Sequence, residues 1–257
     1  MAITDPAEVP KIIEVADGFC VRQEIDNIVW IDMGEFGLVV DALERPELKD
    51  EVFAAIRATL GDKPLRYVLN THTHYDHVAL NAAFEREFGA EIVNEDTRPA
   101  GPDGLWFEGS RRRLHWLHLP GCHTPEDCVA WVPADRALLV GDIFGWGLIP
   151  LTRNLQADTA GLLLDTYQRL IDFDPAVVIP GHGPLGTKQT LQRWVEYFQW
   201  LGRRCAEECA SGRSDEEILA ALAPPEDMET WWRFLLWKHE DSLAKVLKAV
   251  RKGAWRG

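Results

Sequence analysis

Asn70-Thr71-His72-Thr73-His74-Tyr75-Asp76-His77 follows directly on the apolar run Tyr67-Val68-Leu69. A strand ending in this stretch points His72 and His74 to one side, because side chains two apart share a face. Asp76 and His77 follow where the chain turns towards a helix predicted to start near Val78. Imidazole and carboxylate at this density suit a hard or borderline divalent metal, which takes nitrogen and oxygen ligands together. A single histidine in such a place is ordinarily a loop residue. An H-x-H-x-D-H spacing has no comparable structural explanation.

Working outward, Ile12-Ile13-Glu14-Val15, Phe19-Cys20-Val21, Ile28-Val29-Trp30-Ile31 and Gly37-Leu38-Val39-Val40-Asp41 are β-rich. The turn signals between them predict an antiparallel meander. From Pro46 the period becomes helical, with Leu48, Val52, Ala55, Ile56 and Leu60 on one face, until Gly61 and Pro64 stop it. A strand over 66–70, a helix over 78–88 and a strand over 91–93 continue in βαβ order. Residues 94–110, rich in proline and glycine, predict an irregular loop. A second half repeats this logic, with strands over 114–119, 129–132 and 137–140, a helix over 158–172 and a strand over 177–179.

The expected fold class is α/β (α+β), a four-layer αββα sandwich with two sheets face to face and helices outside. Beyond Gly186 the pattern is helical, over 187–210, 215–222 and 227–251, with Pro224-Pro225 as a break. This tail holds Trp194, Trp200, Trp231, Trp232, Trp237 and Trp255, which docking against the sandwich would explain. The expected organisation is a catalytic domain over 1–186 and a helical C-terminal extension over 187–257 packed on it.

Composition narrows the function classes. The chain has 257 residues, 46% hydrophobic and 26% charged, enough for a sizeable core. A net charge of -14 argues against nucleic acid or an anionic membrane surface as partner. The N-terminus has no secretory pattern, no apolar run approaches a membrane span, and five cysteines show no framework spacing. A cytoplasmic protein acting on a small-molecule substrate is expected.

A two-metal site needs more ligands than one loop supplies. His123 lies in Gly121-Cys122-His123-Thr124-Pro125-Glu126-Asp127 after a predicted strand, Asp142 ends the run Ala137-Leu138-Leu139-Val140-Gly141, and His182 lies in Pro180-Gly181-His182-Gly183. Each stands at a strand end beside glycine, where the backbone turns tightly and a side chain can enter a cleft.

With these residues in this order, the sequence over roughly 10–186 resembles the metallo-β-lactamase superfamily. The resemblance implies that His72, His74 and His123 hold one metal, that Asp76, His77 and His182 hold a second, and that Asp142 bridges. Asp41 matches the family's early aspartate, placed behind the ligands. The implied cofactors are two divalent metal ions, Zn2+ first, with Fe or Mn also compatible with nitrogen and oxygen ligands. The implied reaction is attack by a metal-bridging hydroxide on a carboxylic derivative (thioester, ester or lactone, with a β-lactam also open), and Asp76 orients the hydroxide and moves a proton.

Within the superfamily, the histidine loop and the bridging aspartate are similar to glyoxalase II and lactonases. The segment around His123 is similar to true β-lactamases. The basic and tyrosine residues that hold glutathione in glyoxalase II have no clear equivalent. The loop after Asp142 is instead apolar, so Phe144, Trp146, Leu148 and Ile149, with Tyr75, are candidates for a substrate pocket; packing under the tail is the competing reading. A mononuclear iron persulfide dioxygenase is the alternative on the same fold, and a phosphodiesterase or nuclease ranks lower. The tryptophan-rich tail either covers the cleft or pairs two subunits as a homodimer.

Other features carry less weight. Cys122, and Cys205 with Cys209, are expected to be structural. Arg111, Arg112 and Arg113 are expected to form a solvated face, while His115, His118 and His239 have no assignable role.

Overall fold

The computed structural model describes residues 9–120, 122–147 and 160–255. Its first sheet has six strands in sequential order, β1 (Lys11–Ala16), β2 (Phe19–Gln23), β3 (Ile28–Asp32), β4 (Gly37–Val40), β5 (Leu65–Leu69) and β6 (Glu91–Val93). The first four pair antiparallel, as the turn signals predict, and β4, β5 and β6 are parallel. Crossing between parallel strands needs a helix. Helix α1 (Lys49–Leu60) bridges β4 to β5, and α2 (Tyr75–Val78) with α3 (Asn81–Phe88) bridges β5 to β6. The second sheet runs β11 (Val177–Pro180), β10 (Ala137–Gly141), β9 (Cys128–Val132), β8 (Arg113–His118), β7 (Leu105–Glu108).

Three apolar clusters define the layers. Alternate residues of the first sheet, among them Phe19, Val21, Ile31, Leu38 and Val40, meet Leu114, Trp116, Ala130, Val132 and Leu139 of the second. The opposite face of the first sheet, with Trp30, Val39 and Val68, packs on Val52, Phe53 and Ile56 of α1 and Phe84 of α3. The outer face of the second sheet, with Val129, Leu138, Val140 and Val178, packs on α4 (Ala160–Asp172), α5 (Lys188–Ala210) and α8 (Leu236–Arg251). Strands apolar on both faces are what this architecture requires, and β2, β3, β4 and β10 are buried throughout. The αββα sandwich is therefore the fold.

Three local expectations need correction. The predicted loop 94–110 contains β7, in which Phe107 turns inward and Trp106 is 41% exposed; its proline- and glycine-rich approach hid the alternation. The helix expected over 78–88 begins earlier and is split, so that Asp76 and His77 sit on the single turn α2. The split arises because Ala79 and Leu80 donate to the carbonyls of Leu43 and Ala42. Similarly, the tail helix expected over 227–251 is α7 (Glu226–Glu229), an irregular connection, then α8. Arg233, at φ 50°, takes the left-handed conformation that no helix interior accommodates. Between α5 and α7 lies α6 (Asp215–Ala221).

The site residues collect at one rim. Asp41, the histidine loop, Asp142 and His182 follow the C-terminal ends of β4, β5, β10 and β11, and the β8–β9 connection carrying His123 opens onto the same end. Cys128 N–H donates to the Thr71 carbonyl at 2.7 Å and Asn27 N–H to the Gly181 carbonyl at 2.8 Å, so backbone hydrogen bonds join the two sheets at this rim.

Candidate metal centre

Two trios of ligand-type side chains meet here. His72, His74 and His123 present nitrogen atoms within 4.8 Å of one another, as do the nitrogen and oxygen atoms of Asp76, His77 and His182. Asp142 lies between the trios. Its Oδ2 is 3.5 Å from His123 Nε2, 3.9 Å from His72 Nε2 and 3.3 Å from His182 Nε2, and its Oδ1 is 3.3 Å from His77 Nε2. Asp76 Oδ2 is 3.4 Å from His182 Nε2 and 3.8 Å from His77 Nε2. His72 Nε2, His77 Nε2 and Asp142 Oδ1 are buried without a hydrogen-bond partner. Buried polar atoms are normally satisfied, so atoms left bare and convergent fit cations between them.

The supporting residues come from both sheets. Asp41 accepts from Thr71 N–H at 2.8 Å and lies 3.0 Å from His77 Nδ1, so it both holds the histidine loop and orients one of its rings. Asp26, in the β2–β3 turn, stands in the same relation to His182, with Nδ1 at 3.2 Å from its carboxylate and 3.0 Å from the Ile25 carbonyl. Next to it, the Asn27 amide donates to the carbonyls of Pro180 and Gly183 at 2.8 and 2.9 Å, clamping the His182 loop. Asp127 accepts from His123 N–H at 2.7 Å and from Thr124 N–H at 2.9 Å, a side-chain turn that fixes His123. Asp26, Asn27 and Asp127 escape a motif reading. Their one sequence signal is Asp or Asn within four residues of a turn or ligand.

Close packing at glycine completes the cradle. Gly141 has φ +49°, and a Cβ there would strike the Thr71 side chain. At Gly181 a Cβ would strike Asp142 and His77, filling the centre itself.

Charge follows from burial and neighbours. Burial, reinforced by the adjacent His77, pushes His72 down to about 2, so its imidazole stays neutral with a lone pair available. His77 goes the other way, up to about 10, because Asp41 and Asp142 outweigh the burial that opposes the charge. Burial would raise Asp142, yet His182 and His77 hold it well below the usual carboxylate range. In His182, burial is likewise outweighed, by Asp142, Asp26 and Asp76. Without a cation, protons on His77 and His182 balance these carboxylates, and those protons must leave when the nitrogens bind metal.

A family model described as the metallo-beta-lactamase superfamily matches residues 22–117. The chain is 27% identical to a hydroxyacylglutathione hydrolase of Methylococcus capsulatus, over 79% of its own length and 85% of the relative's. Its fold matches a metallo-beta-lactamase from Pontibacter korlensis with a TM-score of 0.62 at 19% identity, covering 73% of this chain and 97% of that one. The chain is thus similar to the metallo-β-lactamase superfamily in sequence over residues 22–117 and shares the fold of such enzymes. Other matches are partial. A hydroxyacylglutathione hydrolase of Pelagibacter ubique is 30% identical over 30% of this chain and 36% of its own length, and one of Rhizobium meliloti is 28% identical over 59% and 56%. The chain thus spans about a third to somewhat over half of those relatives. The sec-alkylsulfatase Pisa1 from Pseudomonas sp. shares the fold at a TM-score of 0.68, with 14% identity over 93% of this chain and 50% of that one.

The structure brings together all the residues expected to bind metal, with Asp41 behind them. The expected pocket residues separate. Tyr75 is 67% exposed on the histidine loop. Phe144 is wholly buried against Trp146, Trp194 and Trp231, which leaves no face for a ligand; here the packing reading applies. Half-buried Trp146 donates to the Pro184 carbonyl at 2.7 Å. Leu148 and Ile149 lie outside the described residues. Burial pushes the Cys122 thiol up to about 12, the behaviour of a packed side chain. His239 is a satisfied core histidine between Tyr197 and the Leu222 carbonyl. The arginine run is not a uniform solvated face: Arg112 is 7% exposed and saturated by Asp135 and the carbonyls of Asp17 and Asp32.

Proposed function

We propose that this protein is a dinuclear metal-dependent hydrolase that cleaves a carboxylic thioester, ester or lactone. The observation that carries the reading is the Asp142 carboxylate, within 4 Å of nitrogens from both ligand trios. In this reading His72, His74 and His123 hold one cation, Asp76, His77 and His182 the other, and Asp142 both. Zinc is the first choice for nitrogen and oxygen ligands without a thiolate, and iron or manganese would also be accepted. Such a pair of cations lowers the pKa of a shared water to near neutrality and stabilises negative charge developing on the attacked oxygen.

The chain's own residues do the rest. Asp76 is the most accessible of the centre's carboxylates, its side chain 18% exposed against 3% for Asp142. It is therefore suited to orient a water and to pass a proton to the departing oxygen or sulfur. His72 and Asp142 are sealed from solvent and hold fixed positions. The thioester preference draws on the name shared by the curated relatives, hydroxyacylglutathione hydrolase.

Elemental analysis of protein purified without added metal tests the reading, with turnover of a thioester, a lactone, a β-lactam and a phosphodiester read on the same sample. About two metal equivalents with turnover of an acyl substrate is the expected result. A single iron with no hydrolysis would overturn it.

A further inference from the structure

Several candidate ligands have a carboxylate behind them, Asp41 for His77, Asp26 for His182 and Asp127 for the backbone of His123. Asp142 has no such support. Among the described residues its carboxylate pairs only with His72, His77, His123 and His182, themselves candidate ligands, so its place is set by its backbone. That backbone is a tight turn, closed by Ile143 N–H donating to the Val140 carbonyl at 3.2 Å, with Gly141 at φ +49° inside it. Gly181 N–H donates to the Gly141 carbonyl at 2.9 Å. The Ile143 carbonyl is taken by a side chain, the Tyr167 hydroxyl of α4, which donates to it.

Tyr167 is wholly buried, and its hydroxyl is used twice. While donating to Ile143 it accepts from Trp194 Nε1 of α5 at 3.0 Å. Burial holds the phenol well above its ordinary value, so it keeps the proton it donates. Trp194 is fixed in turn by stacking on Tyr197, with centroids 5.4 Å apart, and on Trp231, at 5.5 Å. Two buried hydrogen bonds therefore lead from the Asp142 turn into the C-terminal helices. They lie in an apolar layer, where each bond is strong and a lost partner leaves the other unsatisfied.

We propose that Tyr167 is the positioning residue of Asp142: it fixes the turn from which the carboxylate projects between the two trios, and it ties that turn to the C-terminal helices through Trp194. This rests on the dinuclear reading, in which one carboxylate serves both cations. A loosened turn then weakens both sites together, unlike the loss of Asp26, which stands behind a single histidine.

The test uses the full-length chain with Tyr167→Phe, which removes one oxygen and keeps the ring, and Tyr197→Phe as control. Tyr197 is buried in the same cluster, but its hydroxyl bonds His239 Nδ1 of α8 at 2.8 Å, within the tail. Cobalt(II) is the probe, its uptake measured by competition with a chromophoric chelator and its ligand geometry by visible absorption. Y167F is expected to bind both equivalents about tenfold more weakly, the lower end for loss of a support behind a ligand, and to shift the cobalt absorption. Y197F should match wild type in both readouts, whatever it loses in stability to denaturant. Affinities and absorption unchanged in Y167F overturn the proposal, as does an equal change in Y197F. Should Y167F fail to fold, Trp194→Phe takes its place. It withdraws the donor from the phenol and should weaken both equivalents about threefold, and unchanged affinities there overturn the proposal. Wild-type protein that takes up a single equivalent counts against the dinuclear reading instead, and the variants still decide the role of Tyr167 by that one affinity. With no uptake, both fall.

Discussion

Asp142 touches nitrogens of both trios, so its removal should be felt by both, whereas His72 and His123 belong to one. Asp142→Ala is expected to lose both metal equivalents, and His72→Ala or His123→Ala to lose at least one, with activity falling alongside; elemental analysis and a thioester assay on the same preparations check this. Asp26 acts one atom further out. Asp26→Asn should weaken the second cation's binding about 10–100-fold, the usual effect of losing a carboxylate behind a ligating histidine. Competition with a chromophoric chelator reads it, and an unchanged affinity would show that the Ile25 carbonyl alone suffices. Glu24 introduces a pH dependence of stability. Burial pushes its carboxyl up, but hydrogen bonds from Arg45 and Arg22 outweigh burial and hold it below the ordinary 4.5. A depressed carboxylate stabilises the fold above its unfolded value and loses that contribution as pH falls through the folded one. Denaturant unfolding between pH 7 and 3 should therefore show a decline that Glu24→Gln flattens, at a cost of about 3–5 kcal/mol at neutral pH for the broken buried pair.

At the scale of elements, the tail helices are the outer layer of the second sheet. Val129, Leu138, Val140 and Val178 share one apolar cluster with Trp194, Tyr197 and Phe198 of α5 and Leu243 and Val246 of α8. A chain ending at residue 186 would expose these aliphatic side chains, at about 1.5–3 kcal/mol each. Four of them amount to roughly 6–12 kcal/mol, comparable with the whole stability of a domain. The truncated chain is expected to be aggregated or unfolded in size-exclusion chromatography and circular dichroism. A monodisperse folded product would show that the sandwich stands without its tail. The expected helix 227–251 was legible as helical in period, yet its break at Arg233 was not. That break depends on the seating of Trp232 on Gly183 and of Phe234 on Gly147, contacts with loops far away along the chain.

For the whole molecule, the metal centre is where the two sheets join. Asn27 reaches from the first sheet across 153 residues of sequence to the Pro180 carbonyl, and Cys128 of the second sheet bonds to Thr71 of the first. Cations held between ligands of both sheets should act as a clasp. Metal at about 100 times its dissociation constant adds about 2.7 kcal/mol. For a chain of this size that raises Tm by roughly 5–10 °C. Differential scanning calorimetry before and after chelation measures it, and an unchanged Tm would mean that the centre does not bind metal preferentially in the folded state.

The convergence of the candidate ligands was legible in the sequence because each member is announced locally. His72, His74, Asp76 and His77 share one strand-end loop, and His123, Asp142 and His182 each follow an apolar run beside a glycine. The layers were legible for the same reason, since period and turn chemistry are properties of short windows. Tertiary structure alone decided what surrounds the candidate ligands: that Asp26 lies at His182, that Asp127 holds His123, and that Phe144 is sealed in the core. These are pairings between segments that a window of sequence treats as unrelated. Burial and the hydrogen bonds that offset it are set by which segments the packed sheets bring together, and local pattern carries no record of that.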